Sequence, residues 1–199
     1  EAGYICYGRT QAWTVGQTKA GPFVCPSDTP YEKLNPLALI SFSYDGSSTL
    51  TLEAVSFSDS MYDALGRTNY LGVAGYWGRV DVPNVDFYKG IFFNRSKTAF
   101  RDIKDGSSNT LLFGEAMGGS LPLADGGQHS YAWMGAGVMN SGYGLSADSH
   151  WGQFSSHHGN IVQFSLGDGS VRSLSIQIDP DLYILLSSMA DEENAQPTD

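Results

Sequence analysis

The chain has 199 residues, with 24 glycines, 16% charged residues and a formal charge of −10. Hydrophobic content of 41% with 13% aromatics is that of a globular chain with a buried core, which excludes wholesale disorder. Eleven Lys and Arg against 21 Asp and Glu leave no basic surface for nucleic acid, and no run of about 18 apolar residues is present to span a membrane.

The charge is unevenly placed. Residues 1–104 hold ten basic and ten acidic groups, whereas residues 105–199 set Arg172 against eleven acids. Part of this excess lies in a polar end, 191–199, which reads as an acidic tail. Asp105, Asp125 and Asp168 each precede a glycine. Asp-Gly is what a tight hairpin turn prefers, and carboxylates on turns without cations beside them also collect Ca²⁺.

In chain order, residues 1–30 read as an irregular segment. Gly21-Pro22, Cys25-Pro26 and Thr29-Pro30 punctuate it, and each proline drives its predecessor out of helical space. Cys6 and Cys25 lack the Cys-x-x-Cys spacing of a redox or zinc site. An even cysteine count in a chain of low charge fits an exported protein and a Cys6–Cys25 disulfide, worth roughly 3 kcal/mol by loop closure. Two separate buried thiols are the alternative.

Residues 31–190 read as a single globular domain. Leu39–Tyr44 and Thr49–Phe57 alternate on either side of Asp45-Gly46, which predicts a β-hairpin. Further strands are expected at Asn69–Ala74, Gly90–Phe93, Thr110–Gly114, Tyr131–Met134, Ile161–Leu166 and Val171–Ile176, the last two flanking Gly167-Asp168-Gly169-Ser170. A short helical turn is expected at Thr98–Ile103. The clearest helix is Pro180–Met189, with Asp179 as N-cap, Pro180 in the first turn and a stripe of Leu182, Leu185, Leu186 and Met189. The expected class is α+β, mostly β: an antiparallel sheet with long loops and a short C-terminal helix.

Chemistry-bearing residues concentrate late. His129, His150, His157 and His158 are all the histidines. Imidazoles this close in sequence suit a transition metal, although His157 and His158 would face opposite sides of a strand, and loop histidines commonly bond backbone. Neither a Gly-x-Ser-x-Gly elbow nor a glycine-rich phosphate loop is present. Glu115, after an apolar run, is the candidate acid or a strand-end cap. Tyr70, Tyr76, Trp77, Phe87, Tyr88, Phe92, Phe93, Tyr131, Trp133, Tyr143 and Trp151 would either stack on a glycan or fill the core.

Particular strings go further than residue types. Phe23-Val24-Cys25-Pro26-Ser27-Asp28, Thr68-Asn69-Tyr70-Leu71-Gly72-Val73-Ala74-Gly75, and Asp102-Ile103-Lys104-Asp105-Gly106-Ser107-Ser108-Asn109-Thr110-Leu111-Leu112-Phe113-Gly114-Glu115 resemble a family of bacterial prepilin-like secreted proteins. So does His158, followed after nine residues by Asp168-Gly169. The resemblance implies a pilin-like, mostly β globular domain behind a leader and an apolar N-terminal helix, which the sequence before us lacks. It carries Cys25, Asp28, Asn69, Asn109, Glu115, His158, Asp168 and Gly169 as motif positions, with no catalytic role attached. Asp102, Asp105 and Asn109 place three oxygen ligands within eight residues, half of a candidate Ca²⁺ site, which analogy with pseudopilins favours. The alternative is that Asp105 caps its own turn and Asn109 bonds backbone. The leading expectation is a non-catalytic, exported structural subunit. It would sit at the cell surface, outside the cell or in the periplasm, and self-associate or join a filament or secretion assembly. The competing one is a carbohydrate- or solute-binding module.

Overall fold

The computed structural model describes residues 9–47, 49–56, 63–121 and 127–192. Cys6, the Asp125-Gly126 turn, Phe57 and the tail from Glu193 lie outside the described residues. The opening segment is less irregular than expected: α1, Thr10–Gly16, is followed by single 3-10 turns at Gly21–Phe23 and Pro30–Glu32. No capping side chain or acidic first turn announces α1.

Two sheets follow. The first joins β1 (Leu34–Tyr44), β2 (Leu50–Ser56), β3 (Arg67–Thr68) and β7 (Gln128–Ala132) in the order β2-β1-β7-β3, with β6 (Gly119–Ser120) also on β7. The predicted hairpin is present, with Tyr44 opposite Leu50. Asp45 builds its turn by accepting from Ser47 N (2.8 Å), Thr49 N (3.1 Å) and Ser47 Oγ (2.7 Å).

The second sheet runs β12-β11-β5-β4-β8. Its members are β4 (Tyr70–Val73), β5 (Leu111–Glu115), β8 (Val138–Met139), β11 (Ile161–Leu166) and β12 (Val171–Ser175). A separate pair joins β9 (Leu145–Ser146) to β10 (Phe154–Ser155). The sheets are mixed, not purely antiparallel as expected: β1–β7, β4–β8 and β9–β10 pair parallel. The β1–β7 and β4–β8 partners are far apart in sequence, as parallel pairing usually requires, so no local turn signal announces them, whereas β9 and β10 are joined by the short loop 147–153.

Gly90–Phe93 is not a strand. Gly90 N donates to Ala74 O (2.7 Å), and the backbones approach so closely that a Cβ on Gly75, at φ +79°, would sit 2.2 Å from Gly90 N. A four-residue helix, α2 (Pro83–Asp86), enters this loop region, and the turn expected at Thr98–Ile103 is a 3-10 turn at Phe100–Asp102.

The C-terminal helix α3, Pro180–Ser187, ends two residues early. Asp179 caps it as predicted, its Oδ1 accepting from Asp181 N and Leu182 N at 3.0 Å each. Its fully buried face is Tyr183, Leu186 and Ser187, while Leu182 and Leu185 are half-buried. One core connects both sheets with α3. In β11 burial alternates so that Val162, Phe164 and Leu166 point inward. Such side chains each contribute about 1.5–3 kcal/mol.

Candidate functional site

In the second sheet β5 runs antiparallel to both its neighbours, β4 and β11. The end of β5 and the starts of β4 and β11 therefore share one edge. Tyr70 lies opposite Glu115, and the bend 157–160 that feeds β11 brings His158 to the same place. The loop that follows the Gly21–Phe23 turn covers this edge, because Asn69 clips it down. Asn69 N donates to Phe23 O (2.8 Å), Asn69 Oδ1 accepts from Cys25 N (3.0 Å) and Asn69 Nδ2 donates to Asp28 Oδ2 (2.6 Å).

The result is a cluster of three chemically distinct groups. Cys25 Sγ lies 3.6 Å from His158 Nε2, and Glu115 Oε1 lies 3.3 Å from the same nitrogen. All three atoms fall within 4.8 Å of one another. Cys25 and Glu115 are 6% and 4% exposed, while His158 opens toward solvent. Gln163 N donates to Glu115 Oε2 (3.1 Å), which leaves Oε1 for the cluster. Among the described residues Cys25 has no disulfide partner. Its expected pairing with Cys6 lies outside the described residues.

Beside it, Asp28 is held by Lys33 Nζ at 2.8 and 2.9 Å and by His157 Nε2 at 3.3 Å. Burial pushes the Asp28 carboxyl up, but Lys33, the Asn69 amide and Thr29 N–H together hold it below the usual carboxylate range. Thus His157 and His158 do point apart, one to each acid.

Five of the eight motif positions, Cys25, Asp28, Asn69, Glu115 and His158, converge on this edge. The other three do not. Asp168 and Gly169 turn the chain at the far end of β11, where Asp168 Oδ1 accepts from Ser170 N (2.9 Å) and Ser170 Oγ (2.7 Å). Asn109 lies near them: Gly167 N donates to Thr110 O and Asp168 N to Ser107 O. The nine residues between His158 and Asp168 therefore span the sheet, and His158 joins Cys25 and Glu115 at the end away from the Asp168 turn.

At that far end the three Ca²⁺ candidates have backbone partners. Asp102 Oδ2 accepts from Ala99 N (2.8 Å), and Asn109 Nδ2 donates to Asp105 O (3.4 Å). Asp105 caps not its own turn but the segment that follows α3, accepting from Asp191 N (3.0 Å) and Glu192 N (2.8 Å). The first two residues of the expected tail are thus docked. Of the remaining histidines, His129 is buried in β7 and His150 stacks on Trp151.

Next to the cluster lies a pocket of about 390 Å³ lined by Phe23, Tyr70, Phe113 and Trp133 together with Thr68 and Ser165. Tyr70 belongs to both features: burial, then the neighbouring Cys25 and Glu115, push its phenol up. Phe23 packs on Trp133 with ring centroids 6.0 Å apart, and Phe23 and Phe113 stay 42% and 41% exposed. Tyr70 and Trp133 were legible as candidate stacking residues. Phe23 and Phe113 were not singled out as stacking residues, although each lies inside a motif string. By contrast Trp77 and Tyr131 are core.

Fold and site together define a mostly β α+β domain that gathers a thiol, an imidazole and a carboxylate beside an aromatic pocket. The chain belongs to the family described as "Protein of unknown function (DUF1559)", whose model matches residues 7–147, about seven-tenths of the chain. His158 and Asp168 lie beyond the matched span. No curated protein and no solved structure matches the chain. Among the described residues no helix is long and apolar enough to cross a membrane.

Proposed function

We propose that the chain is an exported, non-catalytic binding domain that holds a solute with a flat apolar face in the aromatic pocket. The observation that carries this is the pocket itself. Its volume falls in the range of small-ligand sites, and its walls are rings left partly open to water, where burying them against a ligand face is favourable. Its polar groups are largely committed. Trp133 Nε1 donates to Thr18 O (2.9 Å), Thr68 Oγ1 donates to Tyr70 O (3.0 Å) and Ser165 Oγ accepts from Phe113 N (3.2 Å). Stacking therefore dominates over hydrogen bonding, as suits the C–H face of a sugar ring or an aromatic ring. The family's short name, SBP_bac_10, carries the same suggestion of a binding protein.

Calorimetric titration with chito- and cello-oligosaccharides and with indole tests this reading. At least one probe is expected to bind saturably, with affinity falling roughly tenfold in Phe113→Ala and Tyr70→Ala, the loss of about one stacking contact. Absence of saturable binding by every probe would overturn it.

A second reading is the self-associating filament or secretion-assembly subunit that the prepilin-like resemblance implies. Phe100 and Val171, 77% and 70% exposed, favour it as apolar contacts for a second copy. Native mass distinguishes the two: discrete monomers speak for the binding domain, concentration-dependent fibres for the subunit.

A further inference from the structure

We infer that Cys25, Glu115 and His158 form a binding site for a single thiophilic divalent cation of the Zn²⁺ class. The inference does not rest on the pocket's ligand.

The first argument is geometric. Zinc bonds of about 2.3 Å to sulfur, about 2.0–2.1 Å to imidazole nitrogen and about 2.0–2.2 Å to carboxylate oxygen, set tetrahedrally, place neighbouring ligand atoms about 3.4–3.6 Å apart. The observed spacings are 3.6 Å from Sγ to Nε2 and 3.3 Å from Nε2 to Oε1. Two edges of such a tetrahedral face are thus already at ligand spacing, and the third, from sulfur to the carboxylate, is within 4.8 Å.

The second argument is the count of protons. Both Cys25 and Glu115 approach the same ring nitrogen, and an imidazole nitrogen carries either one proton or one lone pair. Protonated, Nε2 serves the carboxylate and leaves the sulfur to the Tyr70 phenol alone. Unprotonated, it accepts from the thiol and faces the carboxylate with a lone pair. A relay of nucleophile, base and orienting acid would use the two different nitrogens of the ring. Convergence on one nitrogen is the pattern of ligands around a common ion. When the ion binds, the Cys25 thiol proton leaves to solvent and the thiolate takes its place.

Burial and support agree. A carboxylate as enclosed as Glu115 calls for a positive partner; Lys33 is taken by Asp28, which leaves that role to a protonated His158 or to a cation bound between the two. Gln163 N fixes the second Glu115 oxygen, and Asn69 fixes the Cys25 backbone, so two ligands are pre-oriented by the shell around them. Thiolate and imidazole select Zn²⁺, Co²⁺, Ni²⁺ or copper over Ca²⁺. Three protein ligands leave a fourth position for water or an incoming group, on the side where His158 is open to solvent.

The test uses the full chain, freed of metal by chelation and titrated with Zn²⁺ by calorimetry and with Co²⁺ by absorption. One ion per chain is expected, with a sulfur-to-cobalt charge-transfer band and the strong visible absorption of tetrahedral Co²⁺. Cys25→Ser removes the charge-transfer band. Glu115→Gln and His158→Gln weaken Zn²⁺ binding at least about tenfold, Cys6→Ser leaves the band in place, and Ca²⁺ does not compete. His158 is partly exposed, so His158→Gln reads the site even if Cys25→Ser fails to fold. Three results would each overturn the inference: no stoichiometric Zn²⁺ binding, affinity unmoved by Glu115→Gln and His158→Gln, or a Cys6–Cys25 disulfide found by mass spectrometry in the isolated protein.

Discussion

At the residue scale Arg67 is 2% exposed, yet its guanidinium faces mostly carbonyls. Nη1 lies 2.6 Å from Pro30 O, 2.8 Å from Lys33 O and 3.2 Å from Leu34 O, while Nη2 reaches the more exposed Asp63 at 3.3 Å. Burial lowers the Arg67 pKa, and Asp63 and Tyr31 oppose that shift. One side chain thus satisfies the backbone where the irregular N-terminal segment enters β1, a few residues beyond the loop that carries Cys25 and Asp28. Arg67→Met strands those carbonyls, so it is expected to cost about 2–3 kcal/mol, the scale of hydrogen bonds to a charged group. Urea unfolding measures the loss, and faster alkylation of Cys25 would show the loop loosening with it. Unchanged unfolding and alkylation would mean the segment is held elsewhere. Arg67 sits one residue before the Thr68-Asn69-Tyr70 string and was not singled out in the sequence. Nothing in its neighbours says that its partners are main-chain atoms some 33 to 37 positions away.

At the element scale the readable parts are those governed by local rules. Whereas the Asp105 carboxylate is drawn off to Asp191 N and Glu192 N, the two predicted Asp-Gly hairpins, at Asp45 and Asp168, form as read, because each Asp side chain accepts from the amide two residues on. The same holds for the Asp179 cap. The parallel pairs β1–β7 and β4–β8 were not readable, since their register is set by core packing across long intervals of chain. The Asp45 turn also makes a pH prediction. Its hydrogen bonds from Ser47 and Thr49 hold the Asp45 carboxyl at about 2, against an ordinary 3.8. A depressed carboxyl contributes stability that is complete above the unfolded value and fades as pH falls through the folded one. The hairpin should therefore weaken between pH 3.8 and about 2. Asp45→Asn should remove this part of the acid dependence, so its melting temperature falls less steeply than that of the parent below pH 3.8. Parallel curves for the two proteins would sink the assignment.

For the whole molecule, the strings that carry the resemblance divide between two ends of one sheet. The Asp105 cap on Asp191 and Glu192 and the Asp168 turn occupy one end, and the thiol–imidazole–carboxylate cluster occupies the other. Each contributing residue was visible in the sequence, but the division was not, because it follows from the antiparallel order β11-β5-β4. The strand that joins the two ends is β5, and Gly114 is its narrowest point. A Cβ there would lie 2.3 Å from Phe164 Cε1 and 2.7 Å from Phe154 Cδ1, two rings packed edge to face with centroids 5.2 Å apart in the core. Both rings are at most 1% exposed, so neither has room to turn away. Gly114→Ala must then displace β5, at a cost of about 1–3 kcal/mol for overpacking. The displacement acts directly on Glu115, the next residue, whose Oε1 lies 3.3 Å from His158 Nε2. The variant is thus expected to lower the melting temperature and to weaken Zn²⁺ binding together, although it removes no ligand atom. Substitution at the other end, Asp168→Ala, should lower stability through loss of its turn while leaving Zn²⁺ affinity unchanged. Equal losses of Zn²⁺ affinity in both variants would show that binding merely tracks global stability, and would refute the separation of the sheet into a site end and a structural end.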